Sequence, residues 1–154
     1  LKFRNKMNIS ISVTLSEVLT QARKRLYYKG ESLKEGDAIQ LATTLQASAD
    51  EDDVLTPFAQ SAAERMCDLI NKTASVNYSF GTGTFSFSIT APANFDENQS
   101  PLIKGSIFKF MVNRVIGEWL SDVAPNIAKT YFELSMESER DIVTRIAKRK
   151  KPVS

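Results

Sequence analysis

The chain has 154 residues, 42% hydrophobic and 25% charged, which suits one globular domain over residues 1–154 and is short for two. Twenty basic and eighteen acidic side chains leave a formal net charge of +2, which implies no partner by itself. With no histidine and one cysteine, the sequence excludes Ser-His-Asp and Cys-His catalysis, thiolate zinc sites and internal disulfides.

The N-terminal part of the chain predicts a short strand followed by a helix. Apolar and polar residues alternate over Ile9–Val13, which is typical of a strand or an extended lead-in, and we expect residues 1–8 to be poorly ordered. The segment Thr14–Glu17 matches a capping box. It predicts a helix from about Leu15 to Tyr28, which Gly30 is placed to end.

Two more helices are predicted before the middle of the chain. Apolar residues at helical spacing indicate a short second helix over residues 38–45. The acidic segment Asp50–Asp53 favours a helix start, because carboxylates stabilise the positive end of the helix dipole. A long third helix is therefore predicted over residues 54–70.

The pattern changes after Lys72, because residues 73–95 carry no charged side chain. Two alternating runs flank a glycine-rich turn at Gly81–Thr84, which predicts a β-hairpin over about residues 75–90. We predict that its apolar side chains contact a neighbouring subunit or partner, or else cover the helices of their own domain. These side chains are Val76, Tyr78, Phe80, Phe85, Phe87 and Ile89.

The C-terminal part predicts a fourth helix, begun by Ser100 and Pro101, and a fifth after Pro125. The fifth ends in a basic tail over residues 148–154, in which Lys148, Arg149, Lys150 and Lys151 are possible DNA contacts. Their alternative role is to interact with the negative end of the last helix. The predicted fold is mainly α, with about five helices in one domain and the hairpin inserted between the third and fourth.

No constellation in the sequence predicts catalysis, a cofactor or a metal ion. Ser106 and Lys109 have the Ser-x-x-Lys spacing, but the other elements of that enzyme class are missing. Asp50–Asp53 lacks the framework of a calcium loop, and Gly81–Thr84 lacks the Lys of a phosphate loop. Cys67 lies among apolar residues and is expected to be a quiet, buried thiol. We therefore expect a protein without enzymatic activity or a small-molecule substrate.

Charge is unevenly distributed along the chain. Residues 1–35 hold eight basic and three acidic side chains, whereas residues 36–70 hold one basic and seven acidic ones. One interpretation is a set of solvated helix faces of different sign. The other is a basic patch that meets an acidic patch on a neighbouring subunit, a heterologous contact of the kind that closes rings.

The order of segments and the basic ending Ala147–Pro152 resemble the head-to-tail connector proteins of tailed bacteriophages and prophages. The resemblance covers about residues 15–152 and leaves Ile9–Val13 without a role. It implies a non-enzymatic subunit of a phage neck that forms a ring with copies of itself, contacts portal or other neck and tail proteins, and surrounds DNA. Such a protein is made in the bacterial cytoplasm and ends in the virion.

A second hypothesis belongs to a different class of protein. The aromatic hairpin would serve a bacterial cytosolic adaptor or regulator by binding a strand or helix of a protein partner. Neither hypothesis involves a membrane, since the apolar stretches are far shorter than the roughly 18 residues of a membrane span.

Overall fold

A computed structural model describes residues 6–32 and 46–151, and within them three strands and four helices form an α+β fold. The strands are β1 (Lys6–Thr14), β2 (Ser75–Gly81) and β3 (Thr84–Pro92). The helices are α1 (Leu15–Ser32), α2 (Asp52–Asn71), α3 (Ser100–Leu120) and α4 (Pro125–Ile146). The predicted helix over residues 38–45 lies outside the described residues.

The three strands form one antiparallel sheet in the order β1-β3-β2. Ile11 of β1 lies opposite Phe87 of β3, and Phe87 lies opposite Tyr78 of β2. The prediction of a mainly α domain with an inserted hairpin is therefore wrong. The N-terminal strand has the same alternation as β3, so pairing with β3 lets both strands bury their apolar side chains on one face.

The apolar face of the sheet packs against α2 and α3. All the apolar side chains of β3, from Phe85 to Ala91, are buried, and so are Ile9, Ile11 and Val13 of β1. The opposite face carries serine, threonine and asparagine side chains, which need no partner because they face water.

A two-residue turn joins β2 to β3. Thr82 and Gly83 both have positive φ, 51° and 74°, as a type I′ turn requires. The carbonyl of Gly83 accepts a hydrogen bond from the N–H of Leu15 at 2.9 Å, which attaches the turn to the start of α1.

Two sequence predictions about the N-terminal region need correction. Residues 6–8 begin β1 and pair with residues 90–92 of β3, so this part of the segment expected to be poorly ordered is ordered by the sheet. Gly30 does not end α1, because the helix continues to Ser32 with Gly30 buried inside it. A glycine inside a helix costs only about 1 kcal/mol relative to alanine, so Gly30 does not by itself require the helix to end.

Helix α3 is the central helix of the domain. Almost every residue from Phe110 to Gly117 is buried, because α1, α2, α4 and the sheet all contact this helix. At Gly117 the ring of Phe132 from α4 comes so close that a Cβ would lie 2.8 Å from it. The guanidinium of Arg114 covers the same ring, 4.8 Å from its centroid.

We predict that Phe87→Ala lowers the free energy of unfolding by about 3 to 5 kcal/mol, because it leaves a cavity where β3 packs on the helices. The matched control is Ser86→Ala on the solvent face of the same strand. This substitution should change the free energy of unfolding by less than about 0.5 kcal/mol. Urea unfolding followed by circular dichroism measures both. Equal stability of the two variants would contradict this placement of the sheet.

Candidate functional site

The structure divides the predicted contact residues of the hairpin into two groups. Phe85, Phe87 and Ile89 are buried in the domain's own core, so they present no aromatic surface to a partner. Three residues of β2, Val76, Tyr78 and Phe80, are only half-buried. The ring of Phe80 stacks on Phe85 with 4.5 Å between centroids, and that of Tyr78 lies 5.3 Å from Phe87. The exposed part of the apolar row therefore lies on an outer strand.

The solvent face of the sheet is a regular array of uncharged polar side chains. Its rows run across the three strands, and one row joins Ser12, Ser86 and Ser79. The hydroxyl of Ser88, in the next row, donates to the amide oxygen of Asn8 at 2.8 Å. This hydrogen bond runs diagonally from one row to the row beyond it. Lys6, at the start of β1, is the one charged residue in the three strands.

Both outer strands have free edges within the described residues. Gly81 and Thr84 close the two-residue turn, so their main-chain groups form hydrogen bonds with each other. Along an antiparallel strand, the main-chain groups of successive residues point alternately toward and away from the partner strand. The N–H and C=O groups of Val76, Tyr78 and Phe80 therefore point away from β3. No main-chain hydrogen bond from another described element reaches these groups. The edge of β2 is therefore open to another strand.

The same alternation applies to β1. The hydrogen bond from Leu15 to Gly83 fixes which residues face β3, so the main-chain groups of Asn8, Ser10 and Ser12 are directed to the outer side. In the described part of the chain they too receive no main-chain hydrogen bond from another element. As far as residues 6–32 and 46–151 show, the sheet thus has two different free edges on opposite sides.

The helices give these two edges different surroundings. Beside β1 lies a groove of about 290 Å³, lined in part by Val13, Lys104 and Phe108. Beside β2, α2 places Glu64 close to Tyr78. Burial, Glu64 and Cys67 together raise the pKa of the Tyr78 phenol. The groove beside the β1 edge carries both Lys104 and Glu17, whereas the β2 edge has an anion next to an aromatic row.

The predicted DNA contacts form an ordered segment rather than a free tail. Arg149 makes an isolated β-bridge with Phe95, and the N–H of Lys150 donates to the carbonyl of Asn94 at 2.8 Å. All four side chains from Lys148 to Lys151 are exposed, and the ammonium of Lys150 lies 3.6 Å from Glu97.

Folding brings a further cation to this end of the molecule. Lys6 lies opposite Pro92, three residues before Phe95, so the start of β1 and the basic segment share one end of the sheet. Sequence reasoning missed this cluster because its two parts lie at opposite ends of the chain.

A charged cleft of about 600 Å³ lies between α2, α3 and α4. Arg65 donates to the carboxylate of Glu139 at 2.7 Å, and Arg114 lies 3.4 Å from Glu118. Burial, followed by the charge of Arg65, lowers the pKa of the Arg114 guanidinium. The charged residues lining the cleft are balanced in sign: Glu64, Asp68, Glu139, Arg65, Lys72 and Arg114. We interpret the cleft as a set of ion pairs that join the helices.

The remaining candidates from the sequence are not brought together into a site. Asp52 forms an ion pair with Arg23 of α1, and the carboxylate of Glu51 accepts from the N–H of Ser48 at 3.1 Å. Both contacts belong to the start of α2. Ser106 is buried and Lys109 is exposed, so their spacing produces no shared pocket.

None of the described helices has the length and apolar character needed to cross a membrane. In comparisons with known proteins, no family model, no curated protein and no solved structure matches the chain.

We predict that Cys67 is alkylated slowly by iodoacetamide at neutral pH. Burial and then the charge of Asp68 raise the pKa of this thiol, so the rate should reach half its maximum at a higher pH in the native protein than in urea. Asp68→Asn should lower that midpoint, whereas Glu17→Gln should not. A native midpoint at or below that of the unfolded chain would contradict the prediction.

Proposed function

We propose that this protein is a non-enzymatic structural subunit that assembles with copies of itself through the edges of its sheet, as part of a phage or prophage neck. The observation that carries the proposal is the pair of free edges. Proteins normally protect exposed edge strands with charges, prolines or bulges. The one charge on these two strands is Lys6, the first residue of β1; residues 7–14 of β1 and 75–81 of β2 contain no charge and no proline.

The position of the edges favours a ring over a simple dimer. The two edges lie on opposite sides of one sheet and differ in their surroundings, as the two halves of a heterologous contact do. Successive heterologous contacts close into a ring when a whole number of the rotations between neighbouring copies adds up to 360°. This supports the ring expected from the resemblance to head-to-tail connectors.

The same proposal assigns partners and a location. Copies assemble in the bacterial cytoplasm, join portal or other neck and tail proteins, and become part of the virion. The order of segments after β1 and the basic ending support this assignment.

The basic end, formed by Lys6 and Lys148–Lys151, is proposed to contact DNA without sequence preference. Five exposed cations lie there against two acidic residues, Asp96 and Glu97. Ammonium and guanidinium groups bind phosphates chiefly by charge, so such a contact needs no base-reading side chains.

Size-exclusion chromatography with light scattering tests the assembly. We expect a closed oligomer of one defined mass, whose share of the protein increases with protein concentration. Negative-stain electron microscopy should show rings. High salt should shift the population only partly toward monomer, because main-chain hydrogen bonds and apolar burial depend weakly on salt. A monomer at every concentration, with or without a portal protein, would contradict the proposal.

Fluorescence anisotropy with duplex DNA tests the basic end. Replacing all four residues of Lys148–Lys151 with glutamine should weaken DNA binding. It should also make the logarithm of the association constant depend less steeply on the logarithm of the salt concentration, by up to about 0.9 in slope for each phosphate that is no longer neutralised. The control replaces Lys24 and Lys129, exposed cations elsewhere, and should change neither quantity beyond error. If both variants bind as tightly as the parent, the tail does not contact DNA.

A further inference from the structure

We infer that β2 of one copy pairs in parallel with β1 of the next copy, so that one continuous sheet runs through the assembly. This inference rests on the proposed function, since the partner is a second copy of this chain. It goes further by naming the two strands, their direction and their alignment.

The topology sets the direction of the pairing. Both β1 and β2 run antiparallel to β3, so they run parallel to each other within one chain. A heterologous contact repeats the same orientation from copy to copy. The neighbour's β1 therefore runs parallel to β2 when it extends the sheet.

The alternation of main-chain groups fits this pairing. In a parallel pair of strands, consider a residue whose N–H and C=O point toward the partner strand. These two groups form hydrogen bonds with the residues just before and just after the residue that lies opposite it. With Tyr78 opposite Ile11 of the neighbouring copy, its N–H reaches the carbonyl of Ser10 and its C=O accepts from Ser12. Both serines direct these groups outward.

This alignment also continues both faces of the sheet. The polar row through Ser12, Ser86 and Ser79 meets Ser12 of the next copy, and the apolar side of β2 meets the apolar side of β1. A slip by one residue would place polar side chains on the helix side, so the faces restrict the register to steps of two residues. Among these registers, the one with Tyr78 opposite Ile11 pairs the whole of β2 with the uncharged part of β1.

The surroundings of the edges favour this contact over a two-fold contact. The half-exposed row that includes Tyr78 and Phe80 would face the neighbour's groove at Val13 and Phe108. Glu64 would approach that groove, whose lining carries Lys104 as well as Glu17. A two-fold contact through β2 would bring Glu64 near its own copy, and one through β1 would leave the half-exposed row of β2 uncovered. The mixed contact covers that row and places Glu64 beside a cation of the groove.

Disulfide trapping tests the inference in the full chain. Ser12→Cys and Ser79→Cys are combined in a Cys67→Ser background, which removes the native thiol. Within one chain these positions are two strand spacings apart, about 9.5 Å, which exceeds the roughly 7 Å that a disulfide can bridge. Oxidation should therefore link neighbouring copies into a ladder of oligomers that ends at the closed ring.

The single variants and a proline variant provide the controls. Ser12→Cys alone and Ser79→Cys alone should stay monomeric on a non-reducing gel, because each lacks its partner. Adding Ser10→Pro to the double variant should abolish the ladder by removing an outward N–H, whereas Ser10→Thr should retain it. Circular dichroism establishes that each variant is folded.

The outcomes separate this inference from the proposed function. Dimers of either single variant would overturn it in favour of a two-fold edge contact. Rings of the double variant that oxidation fails to cross-link, or rings that survive Ser10→Pro, would overturn edge pairing and leave the structural-subunit proposal standing. Absence of any oligomer of the unmodified chain would overturn both.

Discussion

The alternation of β3 is the constraint on which the rest of the structure depends. Its apolar side chains all lie on the face that packs against α2 and α3, so its polar side chains all face solvent. As the middle strand, β3 also uses its main-chain groups on both sides to bind β1 and β2. One strand thereby determines the buried face, the polar face and the two free edges.

This arrangement separates the residues that stabilise the domain from those that the proposed assembly would use. The aromatic residues that contribute most buried area lie in the core beside α3, so they hold the subunit together and do not face a partner. What remains for contact is main-chain hydrogen bonding at the edges, with Tyr78 and Phe80 beside β2 and Phe108 beside β1. In the proposed assembly such edges would supply direction and register.

The local features of the fold were predictable from the sequence. The hairpin, its turn at Gly81–Thr84 and the starts of α2, α3 and α4 follow from alternation, glycine, capping and proline, which act over a few residues. The pairing of β1 with β3 joins residues about 80 positions apart, and periodicity carries no information about which strands meet. The sheet was missed for that reason.

The candidate site was predictable only in part, and for the same reason. The sequence placed Tyr78 and Phe80 among the candidate contact residues, but it did not distinguish a middle strand from an outer one, so the buried Phe87 was grouped with them. The bridge between Phe95 and Arg149, and the approach of Lys6 to the basic segment, also depend on long-range contacts. Edges and clusters of this kind become visible only with the topology.

Hydrogen exchange of individual amides, measured at low and high protein concentration, tests the central claim most directly. The amides of Asn77 and Ser79 bond to β3 and should exchange slowly at both concentrations. Those of Val76, Tyr78 and Phe80, with those of Ser10 and Ser12, face outward and should exchange fast in the monomer and slowly in the oligomer. Unchanged exchange of these outward amides on assembly would contradict the claim that the sheet edges form the contact.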